Sequence, residues 1–365
     1  MKKLTYLLAA AAVFAACNSG NNGYTVTGTI EGATDGDTVY LQTVEGRQLV
    51  KLDSAIIANG TFTFKGTQDT AANRYITYNP AGTEGMIMDF FLENGKINIK
   101  LNEKSSSATG TANNDIYQAI RIQLNELDSQ MENIYASMTD TALTDQQRES
   151  KSKEMDALQD KMMEVAKAGI SQNITNAVGV HLLKSNYYYL DVKELDPLVS
   201  QIPATYSNDA TVIRIKENVE KMKATAVGKK FTDFEMQTPE GKTVKLSDYV
   251  GKGKTVLVDF WASWCGPCRR EMPNLVETYA KYKGKNFEIV GVSLDQDDAA
   301  WKDAIKKLNM TWPQMSDLKF WQSEGAQLYA VNSIPHTVLI DGEGTIIARG
   351  LHGEELQAKI AEVVK

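Results

Sequence analysis

Cysteine is scarce in this chain, at three in 365 residues, which is too few for a disulfide-stapled scaffold and too few for a four-cysteine zinc site. Histidine is equally scarce, also at three. Positive charge is in deficit: 39 Lys and Arg against 46 Asp and Glu leave a formal charge of −7. No basic stripe is available to neutralise phosphates, so nucleic acid is not expected as a partner. Beyond residue 16 no apolar run approaches the roughly 20 residues that a membrane-spanning helix needs. What is present is ordinary. Hydrophobic residues make up 42% and charged residues 23%, the composition of a globular protein with real cores, and at roughly 150 residues per domain the length implies two or three domains.

Lys2 and Lys3 precede an apolar run from Leu4 to Ala16, the charged and apolar regions of an export signal over residues 1–16. Ala15 and Ala16 stand directly before Cys17, and with Phe14 where leucine is usual the segment resembles the lipobox of bacterial lipoproteins. That resemblance implies lipidation of Cys17 and a periplasm-facing protein held to an inner or outer membrane of the cell envelope without crossing it. A plain secretory signal whose cleavage site adjoins a cysteine is the competing reading. Residues 17–23 are polar and rich in Gly and Asn, which suits a flexible tether.

Three textures follow. Residues 24–103 alternate with period two, as in Tyr24-Thr25-Val26-Thr27-Gly28-Thr29-Ile30 and Thr61-Phe62-Thr63-Phe64, and predict an all-β, sandwich-like domain. Asn59-Gly60 and Asn94-Gly95 supply turn chemistry within it. Asp53, Glu84 and Asp89 are scattered and read as solvated surface groups. Tyr40, Tyr75, Tyr78, Phe90 and Phe91 read as core rather than as a binding face. Lys104 to Asn114 reads as a loop. From 114 to 225 the period becomes helical: Ile120, Leu124, Leu127, Met131, Ile134 and Met138 fall on one stripe, and Met155, Leu158, Met162 and Val165 on another. These predict a helical hairpin turning around Thr139 to Asp145, its stripes forming the core of a helical insert. Further helices are expected over Ile170 to Leu190 and Asp209 to Lys223, with His181 as a packing residue. Residues 228–365 read as α/β, with buried-strand runs at Thr255 to Phe260, Phe287 to Leu294 and Thr337 to Ile340, a hairpin through Asp341 to Gly344, and a last helix from Glu354 to Val363.

Chemistry concentrates in Val258-Asp259-Phe260-Trp261-Ala262-Ser263-Trp264-Cys265-Gly266-Pro267-Cys268-Arg269-Arg270-Glu271-Met272-Pro273. A Cys-x-x-Cys pair that follows a buried strand and opens a helix places its first thiol among unpaired helix N–H groups, which favour a thiolate. Cys265 is therefore the expected nucleophile. Cys268, one helical turn onward, can attack a mixed disulfide held on Cys265 and release the reduced product. Gly266-Pro267 suits the start of the helix, because proline lacks the N–H that would be orphaned there.

This run resembles the active site of thioredoxin, and with Arg269, Glu271 and Pro273 it is similar to the membrane-tethered TlpA-like and ResA-like thiol–disulfide oxidoreductases. The resemblance covers roughly Phe231 to Lys365 and implies a thioredoxin-like mixed sheet covered by helices. The β-region and helical insert more loosely resemble the extension that precedes such modules in some envelope lipoproteins. The resemblance further implies that Asp259 is a buried carboxyl near Cys268 with a raised pKa, able to take that thiol's proton. Glu271 resembles an acidic residue beside the dithiol of several envelope members; it either tunes the thiols, accepts a proton or lies on a solvated helix face. Ile334-Pro335 resembles the family's cis-proline loop, whose exposed backbone pairs with an extended substrate. Trp261 and Trp264 correspond to an apolar surface around Cys265, whereas Trp301, Trp312 and Trp321 read as packing residues. At His336 a small residue is usual; it either faces the dithiol or caps the loop.

Other chemistries fit less well. Zinc held by Cys265 and Cys268 needs two more ligands, which only His181, His336 and His352 could supply. A peroxidase needs a single peroxidatic cysteine in a Thr-rich loop, which is absent. An oxidase or isomerase is the rival within redox chemistry. Gly-Pro between the cysteines resembles the reducing members, at about −270 mV against about −120 mV for a strong oxidant. A binding protein with the dithiol as a regulatory switch is the rival outside it. No cofactor or metal is called for, since the redox group is the Cys265–Cys268 pair itself. The expected partners are disulfide-bearing envelope proteins and a membrane electron donor that recharges the dithiol.

Overall fold

The computed structural model describes residues 23–80, 84–140 and 142–364; the export signal and Cys17 lie outside them. The chain divides at Leu183/Lys184 into two compact units.

The first unit opens with eight strands: β1 Tyr24–Ile30, β2 Thr38–Glu45, β3 Gln48–Ile56, β4 Thr61–Gly66, β5 Ala72–Tyr78, β6 Met86–Leu92, β7 Gly95–Leu101 and β8 Ser107–Thr109. They form two four-stranded sheets, ordered β4-β1-β7-β8 and β3-β2-β5-β6. Val26, Phe62, Phe64 and Ile97 of one sheet and Leu41, Ile76, Met88 and Phe90 of the other share one buried core, so the expected sandwich is present. The Asn59-Gly60 turn has positive φ at both residues, 50° and 69°, the requirement of a two-residue hairpin that matches strand twist. Lys104 to Asn114 is not all loop. Ala108, its one deeply buried apolar side chain, sits opposite Ile99 in the β7–β8 pair, and pairing there overrides a polar, turn-like composition.

Helices α1 Ala112–Met138 and α2 Asp145–Asn173 follow, α2 opening on a Thr144/Gln147 capping box. Their stripes face each other without being enclosed: Ile120 and Leu158 are buried, while Leu124, Leu127, Met131 and Ile134 stay half-buried. Two helices without a third layer can cover only one strip apiece. The helix expected from Ile170 to Leu190 is broken, because Asn176 Oδ1 accepts the N–H groups of Val178 (2.9 Å) and Gly179 (3.2 Å) and starts α3 Ala177–Asn186. Asp89 is not the solvated group expected. Its carboxylate accepts from Asn73 Nδ2 (3.0 Å) and the Tyr117 hydroxyl (2.8 Å), with Arg121 at 3.6 Å and His181 at 3.8 Å. His181 packs edge-on to Phe91 and Tyr117, as anticipated.

The second unit contains α4 Val192–Val199 and α5 Ala210–Ala224, then β9 Glu235–Gln237, β10 Thr243–Lys245, β11 Thr255–Trp261, α6 Gly266–Tyr282, β12 Phe287–Ser293, α7 Asp298–Lys307, β13 Gln314–Ser316, α8 Glu324–Leu328, β14 His336–Ile340, β15 Ile346–Arg349 and α9 Gly353–Val363. The seven-stranded sheet is ordered β10-β9-β13-β12-β11-β14-β15; β13, β12 and β11 are parallel and β14 runs antiparallel to β11. This is the thioredoxin-like mixed sheet. β9, β10 and β13 are too short for a period-two signal and were not anticipated. The apolar strands β11 and β12 lie at the centre because both of their faces are buried. A Cβ at Gly291, beside Asp259 in register, would fall 2.2 Å from Gln314 Oε1. That oxygen accepts the Trp261 indole N–H at 3.1 Å, so glycine here preserves a contact at the end of the strand that delivers the cysteines.

Candidate active site

The strand β11 ends at Trp261 and the helix α6 begins at Gly266, leaving a four-residue turn that carries Cys265. Asp295 fixes this turn. Its carboxylate accepts the Ser263 N–H (3.0 Å), the Ser263 hydroxyl and the Ser293 hydroxyl (2.7 Å), so a carboxylate with 1% of its surface exposed has both oxygens hydrogen-bonded. No motif singled it out; Ser293-Leu294-Asp295 at the end of an apolar strand was the only trace in the sequence.

Cys265 is the N-cap of α6, with φ −79° and ψ 103°, and its Sγ accepts the Cys268 N–H at 3.1 Å. The first sulfur is thus where the helix presents unpaired donors and its positive end. Pro267 occupies the first turn, as the sequence implied. Gly266 has no left-handed φ, and a Cβ there would meet only Arg270 Nη1, at 3.6 Å; this conformation does not require a glycine. Cys265 and Cys268 are joined as a disulfide with Cα atoms 5.3 Å apart. Cys265 keeps 5% of its surface exposed and Cys268 1%, so reagents from solvent reach the first sulfur more readily.

The Ile334–Pro335 peptide bond is cis, and the Ile334 carbonyl oxygen lies 3.7 Å from Cys265 Sγ. The loop expected opposite the dithiol is therefore brought to it. Trp264 is 48% exposed and packs on Phe320 and Trp321, with ring centroids 5.1 and 6.3 Å away. Trp261 is a correction: it is fully buried, because it continues the β11 strand into the core, and of the two expected tryptophans Trp264 alone supplies the apolar surface beside Cys265. Trp321 joins that surface, whereas Trp301 and Trp312 are core.

Asp259 is buried in β11 between Val258 and Phe260, and its Oδ2 has no hydrogen-bond partner among the described residues. Burial, with the negative charge of Glu271 behind it, pushes this carboxyl up to about 7. Glu271 is held by a bond rather than loose on a helix face. Its Oε1 accepts the Gly353 N–H at 2.8 Å, at the opening turn of α9 where the helix dipole favours a carboxylate. Its effect falls on Asp259.

His336, the first residue of β14, pairs with Arg349: His336 Nε2 lies 3.3 Å from Arg349 Nη2. Burial, then Arg349 and His352, push the imidazole down to about 3, so it is neutral at ordinary pH.

Two family models match the chain. The AhpC/TSA family covers residues 227–349, and a domain of unknown function (DUF4369) covers residues 24–117. Thiol-disulfide oxidoreductase ResA of Bacillus thuringiensis subsp. konkukian is 36% identical over 139 residues, which are 38% of this chain and 77% of that protein. The chain belongs to this family of thiol–disulfide oxidoreductases. ResA of Oceanobacillus iheyensis is 37% identical over 142 residues, 38% of this oxidoreductase and 71% of its relative. Among solved structures, the thioredoxin domain of a thiol-disulfide oxidoreductase from Bacteroides vulgatus is 36% identical and covers 38% of this chain and 99% of that one, with a TM-score of 0.36. In each of these pairings the matched stretch is little more than a third of the oxidoreductase.

Proposed function

We propose that the oxidoreductase reduces disulfides of proteins in the cell envelope, with Cys265 as nucleophile and Cys268 as the resolving thiol. The observation that carries this reading is the placement of Cys265 Sγ at the N-terminus of α6, 3.1 Å from the Cys268 N–H, with the second sulfur deeper. In the dithiol state the Cys265 thiolate attacks one sulfur of the client disulfide. A Cys265–client bond forms, and the other client sulfur leaves as a thiolate and takes up a proton from water. Cys268 then loses its proton, attacks Cys265 Sγ and expels the second client thiolate. Two electrons have passed to the client, and the Cys265–Cys268 disulfide remains.

Asp259 acts in the second step. A carboxyl with a pKa of about 7 is about half ionised at neutral pH, so it can receive the Cys268 proton when that sulfur must become a nucleophile. Glu271 positions this equilibrium through its charge. The backbone at Ile334 and cis-Pro335 holds the client in extended form, while Trp264, Gly266 and Pro267 form the surface around the attacked bond. Turnover requires a dithiol donor, which for a chain tethered through lipidated Cys17 is a membrane electron-transfer protein.

The test is capture. Cys268→Ala in the full chain, expressed in the native envelope, should accumulate mixed disulfides through Cys265 that dithiothreitol releases. Recovery of no adduct would contradict reduction of envelope proteins.

A further inference from the structure

We infer that the segment between Lys184 and Val227 builds, beside the dithiol, a pocket for large apolar side chains of the client, two or three residues from the cysteine captured on Cys265. The inference rests on the proposed reduction of protein disulfides and adds to it a class of substrate.

A cavity of about 570 Å³ lies within the second unit, inside the range of roughly 300–1,000 Å³ usual for ligand sites. One side is mainly aromatic and apolar, formed by Tyr188, Tyr189, Leu190, Met222, Ala226 and Val227, with the charged Asp191 and Lys193 at the cavity as well. Three of these are exposed although large and apolar: Tyr188, Tyr189 and Val227. Such clustering of uncovered apolar surface marks a binding site more often than chance exposure does. The other side is the strip Asn332, Ser333 and His336, which brackets Ile334-Pro335. The Ile334 carbonyl is 3.7 Å from Cys265 Sγ, so the cavity wall begins one residue away from the atom that faces the redox sulfur. An extended peptide rises about 3.3 Å per residue. A side chain two or three residues from the captured cysteine therefore comes level with the cavity.

The polar strip argues for a peptide rather than a wholly apolar ligand. Arginine can only donate, so His336 Nε2 must accept from Arg349 Nη2, and the proton of the neutral ring then sits on Nδ1. That N–H has no acceptor among the described residues, and neither the Asn332 amide nor the Ser333 hydroxyl makes a side-chain hydrogen bond among them. A peptide backbone offers donors and acceptors to such a strip while its side chains enter the apolar side. Both terminal nitrogens of Arg349 are engaged. Its Nη1 donates to the Thr225 carbonyl (2.8 Å) and hydroxyl (2.6 Å), and its Nη2 to the Tyr329 carbonyl (2.6 Å) as well as to His336. It ties the end of α5 to the sheet and so holds the two sides of the cavity together.

The experiment compares two synthetic peptide homodisulfides as substrates of the reduced full chain, one with Phe and one with Gly at the second and third positions on both sides of cysteine. Hydroxyethyl disulfide, too small to use the pocket, serves as reference. The wild type should reduce the Phe peptide with kcat/KM about tenfold higher, the low end of what burying one large apolar side chain gives. Ala226→Trp and, separately, Val227→Trp should fill the cavity and bring the ratio below about twofold without altering hydroxyethyl disulfide reduction. Equal rates for the two peptides in the wild type would overturn the inference, as would a preference that survives in whichever filled variant retains reference activity. Failure to reduce any of the three disulfides would instead overturn the oxidoreductase reading beneath it.

Discussion

Cys265→Ser should lower insulin reduction by dithiothreitol to the uncatalysed background, a loss of roughly a thousandfold or more, as expected when the nucleophile of a concerted set is removed. A serine hydroxyl at the same N-cap still accepts the Cys268 N–H that Cys265 Sγ accepts now, and serine is a favoured N-cap residue. Stability should therefore change by less than a typical core substitution. The variant separates chemistry from scaffold: α6 keeps its cap while the attacking sulfur is gone. The same experiment distinguishes an enzyme from a binding protein in which the dithiol is a switch, because the second would leave the catalysed rate unchanged. Cys268→Ala should differ from it in kind, permitting one attack and then stalling as the mixed disulfide.

Asp259→Asn should gain stability in the second unit relative to the wild type as pH rises, and be the more stable of the two above about pH 7. The unfolded chain ionises this carboxyl near 3.8, while the native chain keeps the proton until about 7. Between those values the native state binds one proton more than the unfolded state, so wild-type stability falls with rising pH by about 1.4 kcal/mol per unit relative to the variant. Over the interval the difference is of order 4 kcal/mol, less about 1–3 kcal/mol for leaving a buried amide unpaired. It should be flat below pH 4 and again above 7. All five tryptophans lie in the second unit, so fluorescence-monitored urea unfolding of the oxidised chain from pH 3.5 to 9 reads that unit directly. Parallel stability curves for wild type and variant would contradict the assignment of a raised carboxyl. Activity should move the opposite way. Without a proton acceptor, resolution by Cys268 should slow by about 10²–10⁴. A gain in stability with a loss of turnover is the signature of a group kept for function at a cost to folding.

The sequence made the second unit legible wherever a local signal and the tertiary role coincide. The runs at Thr255 and Phe287 are predominantly apolar because both faces of those strands are covered, and Cys265-Gly266-Pro267-Cys268 announces both a helix start and a redox pair. Asp259 was legible for the same reason: a carboxylate inside an apolar strand has no bland explanation. Asp295 was not, since its value comes from Ser263, which lies 32 residues away in sequence and meets it only in the folded sheet. Trp261 and Trp264 looked equivalent in a motif, yet one ends a strand pointing into the core and the other stands on the turn. Asp89 failed for a related reason. Nothing local tells a strand carboxylate that Tyr117, Arg121 and His181 will be folded against it. His336 was read from its neighbours in sequence, whereas its burial in the folded sheet, with the charges of Arg349 and His352 added to it, decides its protonation.

The central claim is that the sulfur at the N-cap of α6 is unusually acidic and its neighbour is not. The most direct measurement is the rate of iodoacetamide alkylation of the reduced full chain from pH 5 to 10, with each cysteine followed by peptide mapping. Cys265 should react with a midpoint near pH 7, about the value of thioredoxin itself and well below the roughly 8.5 of a free thiol, and Cys268 should lag far behind it. Two thiols titrating together near pH 8.5 would contradict the account.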